Sequence, residues 1–302
     1  MNISPHPVFE KFDFRLHDQP AGWYVDGLGI RTDPSFMDMS HWKIKEFVPA
    51  AEPPFDHNYF EWIDVLCAVA EAREKFVMVE LGAGYGPWLV AAAVALRQIG
   101  GPPCLLLGVE AEPTRFKWMF KHFRDNNIDP GLHRFHRAAI VPEGGPKKAW
   151  FQVGDPRTTY GASLRPERTV PTIVSHRWLG VKAAVQRAVS RLLGKARPQR
   201  VATTTLSTIL ADIAHVDLLD LDIQGAELPV LQSAIDILNT KVRRVHIGTH
   251  GRDIEAELRT LFSRNGWKSI FDYPMDSLSE TPYGTISFQD GVQSWLNTRG
   301  NS

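Results

Sequence analysis

The sequence predicts an α/β protein built on a mostly parallel, Rossmann-like sheet, and three observations carry that reading. Short apolar runs such as "KFVMVEL", "CLLLGVE" and "VDLLDLDI" alternate with amphipathic stretches of helical period. Strand, helix, strand at this spacing favours a parallel sheet covered on both faces. The stretch "VELGAGYGPW" (Val79 to Trp88) leaves the first run and opens the first helix, as a chain does where it holds a nucleotide. The composition agrees: 302 residues, 43% apolar and 23% charged, suit one large soluble domain with attachments.

Residues 1–57 read as an N-terminal extension, rich in Pro, Gly and aromatics. Within it "GWYVDGLGIRT" alternates like a hairpin around Asp26-Gly27, and "AAEPPF" reads as a linker. Residues 58–302 form the Rossmann-like domain. A helix from Asn58 places Phe60, Ile63, Leu66, Cys67 and Ala70 on one face. A strand follows at 75–81. The next helix, 87–101, has Pro87 in its first turn and is ended by Gly100-Gly101-Pro102. A second strand at 104–110 leads to an amphipathic helix at 114–127 and a third strand within 133–141. Two more strands, 216–223 and 242–250, are followed by helices 227–240 and 253–266. Residues 284–297 read as a closing strand or hairpin. One segment breaks the rhythm: 165–200 carries many cations and no acid after Glu167. Inside it Leu179, Val185 and Val189 recur at helical spacing, which reads as a basic helical insertion.

Lys plus Arg equals Asp plus Glu at 34 each, so no global field gathers nucleic acid. An Asn/Asp-Pro-Pro-aromatic motif for a flipped base is lacking too. No nucleic-acid partner is expected. The two cysteines, Cys67 and Cys104, lie in apolar runs and read as buried reduced thiols, which places the chain in the cytoplasm. The first residues do not read as a signal peptide, and no run approaches the ~20 apolar residues of a membrane span.

The glycines of Gly82-Ala83-Gly84-Tyr85-Gly86 let the backbone turn and approach a ligand. A dinucleotide loop reads G-x-G-x-x-G, with pyrophosphate on the helix N-terminus. Here the third glycine comes one residue early and Glu80 borders the loop. A carboxylate there repels phosphate and attracts a cation, by roughly 4 kcal/mol for unit charges ~4 Å apart at a partly screened site. S-adenosylmethionine, cationic and free of phosphate, fits better than NAD. Glu110, at the end of the second strand, is placed to accept hydrogen bonds from ribose hydroxyls, with Ala111 beside it.

The blocks "VELGAGYGPW", "GVEAEPTRF", "HRAAI" and "LLDLDIQGAELPVL" resemble successive blocks of the FkbM family of S-adenosylmethionine-dependent methyltransferases. The similarity runs from Phe76 to Trp267, without the basic insertion. Where the family usually reads K-x-D-V-E-G-x-E, this chain has Asp220 in place of Lys and Gln224 in place of Glu. The resemblance implies a seven-stranded sheet with the last strand antiparallel, and methylation of a hydroxyl, often on a sugar or a polyketide-type product. It also implies that Glu110 is the ribose-binding acid.

Methyl transfer needs an aligned acceptor and a base for its proton. Asp222, at the ligand-bearing edge of the sheet, is the first candidate; capping the next helix is the bland reading. Glu227 begins that helix, where the dipole favours a carboxylate in any case. His250 ends the next strand and titrates near neutrality. His246 reads as packing. No dedicated metal site is assigned, but Asp220 and Asp222 are a candidate pair for Mg²⁺; Asp220 pairing with Arg243 or Arg244 is the alternative. Tyr85 and Trp88 are candidates for the floor of the pocket. The insertion is a solvated helix, a lid over the acceptor, or an interfacial helix giving weak peripheral membrane contact. The expectation is an S-adenosylmethionine-dependent O-methyltransferase acting on a small-molecule or glycan acceptor, with homo-oligomer formation left open. The alternatives are an NAD-dependent oxidoreductase or a cofactor-binding protein without turnover.

Overall fold

The computed structural model of the chain describes residues 5–36, 51–153, 156–157, 164–165 and 197–299. Seven strands make the central sheet: β1 (Phe76–Leu81), β2 (Cys104–Val109), β3 (Arg134–His136), β4 (Val216–Leu221), β5 (Val242–Thr249), β6 (Trp267–Tyr273) and β7 (Gly291–Asn297). Their spatial order is β6-β7-β5-β4-β1-β2-β3. All neighbours are parallel except β7, which runs antiparallel between β5 and β6. This is the mostly parallel, Rossmann-like sheet with an antiparallel last strand that the sequence predicted. Strands β1 and β4 are buried at every position, which is why they read as unbroken apolar runs rather than as alternation.

Helices α1 (Tyr59–Ala70), α2 (Pro87–Gln98) and α3 (Pro113–Asp125) share one core with the sheet, built on residues such as Phe60, Phe76, Leu89 and Phe123. Helices α4 (Glu227–Ser233), α5 (Ile235–Lys241) and α6 (Arg252–Arg264) help close the other face over Leu219, Val245, Phe262 and Trp295. The sequence read α4 and α5 as one helix; they part at Ala234, the residue between them.

Among the residues of the N-terminal extension, Val8, Phe9, Leu28 and Ile30 join the first core. The hairpin pairs Tyr24–Val25 with Arg31–Thr32 around Asp26, whose Oδ1 accepts the N–H groups of Leu28 and Ile30. Burial pushes that Asp26 carboxyl up to about 6.

Four expectations need correction. The third strand is two: β3, then Ala139–Ile140, which leaves the central sheet to pair with Arg197–Thr204. Arg197–Thr204 in turn pairs with Lys148–Val153, an accessory sheet the sequence did not announce. The last four residues assigned to the basic insertion therefore lie in a strand; its amphipathic helix lies outside the described residues. Residues 284–297 divide into Gly284–Phe288, paired with Ser277–Thr281, and β7. The cysteines are free but half-buried, not fully buried.

Candidate active site

Sheet order brings the carboxyl ends of β2, β1, β4 and β5 side by side, and each predicted site residue lies at or just beyond one of them. Such a row outside the carboxyl ends, at the point where the order reverses, is where open α/β sheets bind ligands.

Consider the β1 end first. Gly82, Gly84 and Gly86 all have positive φ, at 82°, 54° and 74°. A Cβ on Gly82 would strike the backbone oxygen of Asp222, so only glycine lets the loop pass the end of β4. A Cβ on Gly86 would sit 2.8 Å from Met119 Cγ, so this glycine lets α3 approach. Gly84 differs: the space beside its Cα is open, which leaves backbone free for a ligand. Its N–H donates to Glu110 Oε2 at 2.8 Å, while Glu112 N–H donates to Oε1 at 2.6 Å. The Glu110 carboxylate is thus fixed and buried, with lone pairs left for two hydroxyl donors. Burial raises it to about 7. Ala83 and Ala111 are buried around it.

Glu80 lies beneath the loop rather than beside it. Its Oε2 accepts the N–H of Leu89 in the first turn of α2, at 3.2 Å. Burial, with Asp220 nearby, pushes this carboxyl well above its ordinary range. The picture of a bare charge bordering the loop is corrected accordingly: Glu80 is an internal cap. The cap still disfavours a pyrophosphate, for a different reason. Pro87 has no N–H, Leu89 N–H is taken by Glu80, and Val90 N–H by Gly86. The helix end therefore keeps few of the free donors a phosphate needs.

Tyr85 and Trp88, the candidates for the pocket floor, are half-buried beside the loop. The Tyr85 ring packs on Phe36 and His122, and the Trp88 ring on Trp62. His122 Nδ1 donates to the Tyr85 carbonyl (3.2 Å) and Nε2 lies 3.4 Å from Thr32 Oγ1, tying the loop to the N-terminal hairpin. Burial drops this histidine to about 4, so it is neutral.

At the β4 and β5 ends the three candidate catalytic residues meet. His250 Nδ1 lies 2.9 Å from Glu227 Oε1, and Nε2 lies 3.4 Å from Asp222 Oδ1. Two further residues, missed in the sequence, complete the cluster. Gln224 Nε2 lies 2.6 Å from Asp222 Oδ1 and 2.9 Å from His250 Nε2; Asp290 Oδ1 lies 3.8 Å from Nε2. The αL conformation of Gln224 (φ 56°) followed by Gly225 (φ 95°) turns the chain so that this amide points back. Glu227 is wholly buried and also accepts Gly225 N–H at 3.0 Å, so it holds both the loop and the imidazole. Burial lowers His250, but the Glu227 hydrogen bond and the Asp222 charge outweigh it and leave the ring above its ordinary value. The geometry matches a base whose far nitrogen is oriented by a carboxylate.

Asp220 does not join Asp222 in a cation pair. It faces α1, with Glu61 and His246 around it. Nor does it pair with an arginine: Arg244 bridges Asp64 (2.9 Å) and Arg243 bridges Glu71 (2.9 Å). His246 is a partner of Asp64 at 2.8 Å, more than packing.

Comparison with known proteins gives three findings. The sequence profile of the Methyltransferase FkbM domain matches residues 81–268. A protein of Jannaschia sp. (strain CCS1) named "Putative methyltransferase" is 28% identical over 220 residues, covering 71% of this chain and 70% of that protein. Among solved structures, an rRNA methylase from Streptococcus thermophilus has a TM-score of 0.42 at 6% identity, over 81% of this chain and 99% of that one. A second, precorrin 8w decarboxylase from Methanobacterium thermoautotrophicum, has 0.41 at 11% identity, over 81% and 92%. Neither structure speaks to what this chain acts on.

Proposed function

The chain belongs to the FkbM methyltransferase domain family, and from that premise we propose that it methylates a hydroxyl of a sugar, glycan or glycosylated metabolite. The observation that carries the reading is the His250–Glu227 pair at the edge shared with the glycine loop. A hydroxyl is a poor nucleophile until its proton leaves, and the pair supplies a base for it.

S-adenosylmethionine, when bound, supplies an electrophilic methyl on sulfur. Gly84 and Glu110 fit its adenosyl end, with an open backbone edge and a fixed acceptor for the ribose diol. Gly82 keeps the loop low against the end of β4, so the donor and acceptor halves of the site adjoin. His250 Nε2 takes the acceptor proton, and Glu227 stabilises the imidazolium that forms. The amide of Gln224, now on Nε2, must yield to the acceptor hydroxyl. Asp222 and Asp290, with side chains 56% and 54% exposed, line the open side and would bind further acceptor hydroxyls.

Among the described residues no helix is long and apolar enough to cross a membrane. We place the protein in the cytoplasm, with a glycan or small molecule as partner and no nucleic acid, on charge balance and cysteine usage. Transfer of a radiolabelled methyl group to a panel of sugars and glycosides tests the proposal. Labelled product from a hydroxyl acceptor, lost on His250→Ala, supports it. Label carried only to nitrogen or carbon acceptors overturns it.

A further inference from the structure

A row of polar groups crosses the sheet just inside its carboxyl edge. Glu80, Asp220 and His246 are register partners on β1, β4 and β5, and α1 sets Glu61 and Asp64 over them. Asp64, Glu80, Asp220 and His246 are each less than 5% exposed, and Glu61 is half-buried. Four carboxylic groups thus share the space with two basic side chains, Arg244 and His246, and both are engaged by Asp64. Glu80 is engaged by Leu89. That leaves Glu61 and Asp220 facing one another, a contact that two carboxyls keep without an ion only by sharing a proton. Among the described residues no hydrogen-bond partner reaches Asp220 Oδ1, although the atom is buried. An orphaned buried carboxylate oxygen is costly, so something must sit against it.

The geometry points to a divalent first-row transition metal, held by Glu61, Asp220 and His246. Each residue offers one ligand atom, and the three atoms lie within 4.8 Å of one another. Bonds of ~2.1 Å span up to ~4.2 Å across an ion, so the set lies within an ångström of closing. His246 is prepared as a ligand: its Nδ1 is bonded to Asp64 Oδ2, which leaves Nε2 to face the carboxylates. Ligating histidines commonly have their second nitrogen fixed by a carboxylate in this way. An imidazole with two carboxylates suits zinc, iron or manganese better than magnesium. The ion would staple α1 to β4 and β5 beneath the acceptor side and neutralise the row. The inference stands apart from the identity of the acceptor.

Metal analysis of the purified protein after incubation with Zn²⁺, Mn²⁺ or Co²⁺ and desalting tests it. One ion per chain is expected, with a Co²⁺ absorption spectrum characteristic of nitrogen and oxygen ligands. Glu61→Gln and Asp220→Asn should each weaken binding at least ~10-fold. Asp222→Asn, outside the set, should leave it unchanged. If Asp220→Asn fails to fold, Glu61→Gln on the half-buried helix position gives the same reading. No retained metal, or the same stoichiometry in Glu61→Gln, overturns the site and leaves a proton shared between the two carboxyls.

Discussion

The imidazole of His250 rests with Nδ1 2.9 Å from a carboxylate oxygen of Glu227, and Glu227 has no exposed surface at all. Its other oxygen meets no donor among the described residues, so the charge of Glu227 is directed at the histidine. Removing that charge as Glu227→Gln should lower the His250 midpoint, followed by NMR of the ring. In the proposed mechanism His250 works as a base when neutral, so wild-type kcat/KM should rise with pH through a midpoint above ~6.5. In Glu227→Gln that limb should move to lower pH while the plateau falls by ~10²-fold. An unmoved limb would show that Glu227 serves only the loop.

In the proposed function, Glu110 gives the donor site a pH dependence of its own. Its carboxyl is raised to about 7 in the free protein. Ribose hydroxyls donate to the ionised form, so calorimetry should find S-adenosylhomocysteine binding tighter at pH 8 than at pH 6, by up to ~10-fold. Glu110→Gln should weaken binding and abolish the dependence. The stability sign is opposite. A carboxyl raised by burial stabilises the fold below its unfolded value and loses that contribution as pH rises through about 7. Between pH 6 and pH 8 the melting temperature of wild type should therefore fall by more than that of Glu110→Gln.

The glycines separate into structural and ligand roles. Gly86→Ala meets both a φ of 74° and Met119, and should cost about 2–4 kcal/mol in chemical denaturation. Gly84→Ala meets only the φ of 54°, so its stability loss should be about 1–2 kcal/mol. Its loss of cofactor affinity should be the larger effect.

The Asp64–Arg244 pair is buried on both sides. Arg244→Met should destabilise by about 3–5 kcal/mol, because it strands Asp64 with half its partners. Burial alone would raise Asp64, but His246 and Arg244 outweigh it and hold the carboxyl below its ordinary range. That contribution is present above ~pH 4 and fades as pH falls through the native midpoint. The melting temperatures of wild type and Arg244→Met should accordingly converge in acid.

Much of this was legible because fully buried strands are apolar runs and because turn glycines stand out. β1, β2, β4 and β5, the loop, Glu110, and the trio of Asp222, Glu227 and His250 all follow from local pattern. Three features did not. Gln224 and Asp290 reach His250 only through a left-handed turn and the return of β7, which are tertiary facts. α1 showed one apolar face, yet Asp64 is buried as well, because its side of the helix lies on β5, where Arg244 and His246 meet it. Lys148–Val153 pairs with residues nearly fifty positions later, across a segment with no periodic signal for a sheet.

Since β1 and β4 touch in space but belong to opposite halves of the chain, two separate stretches of the gene encode the two sides of the cleft. The glycine loop and Glu110 are written before Val141, and the histidine-bearing side after Val216. A lineage can drift in its taste for acceptors through the later half while the earlier half stays put. Grafting 216–297 from a relative is accordingly the economical way to redirect the enzyme.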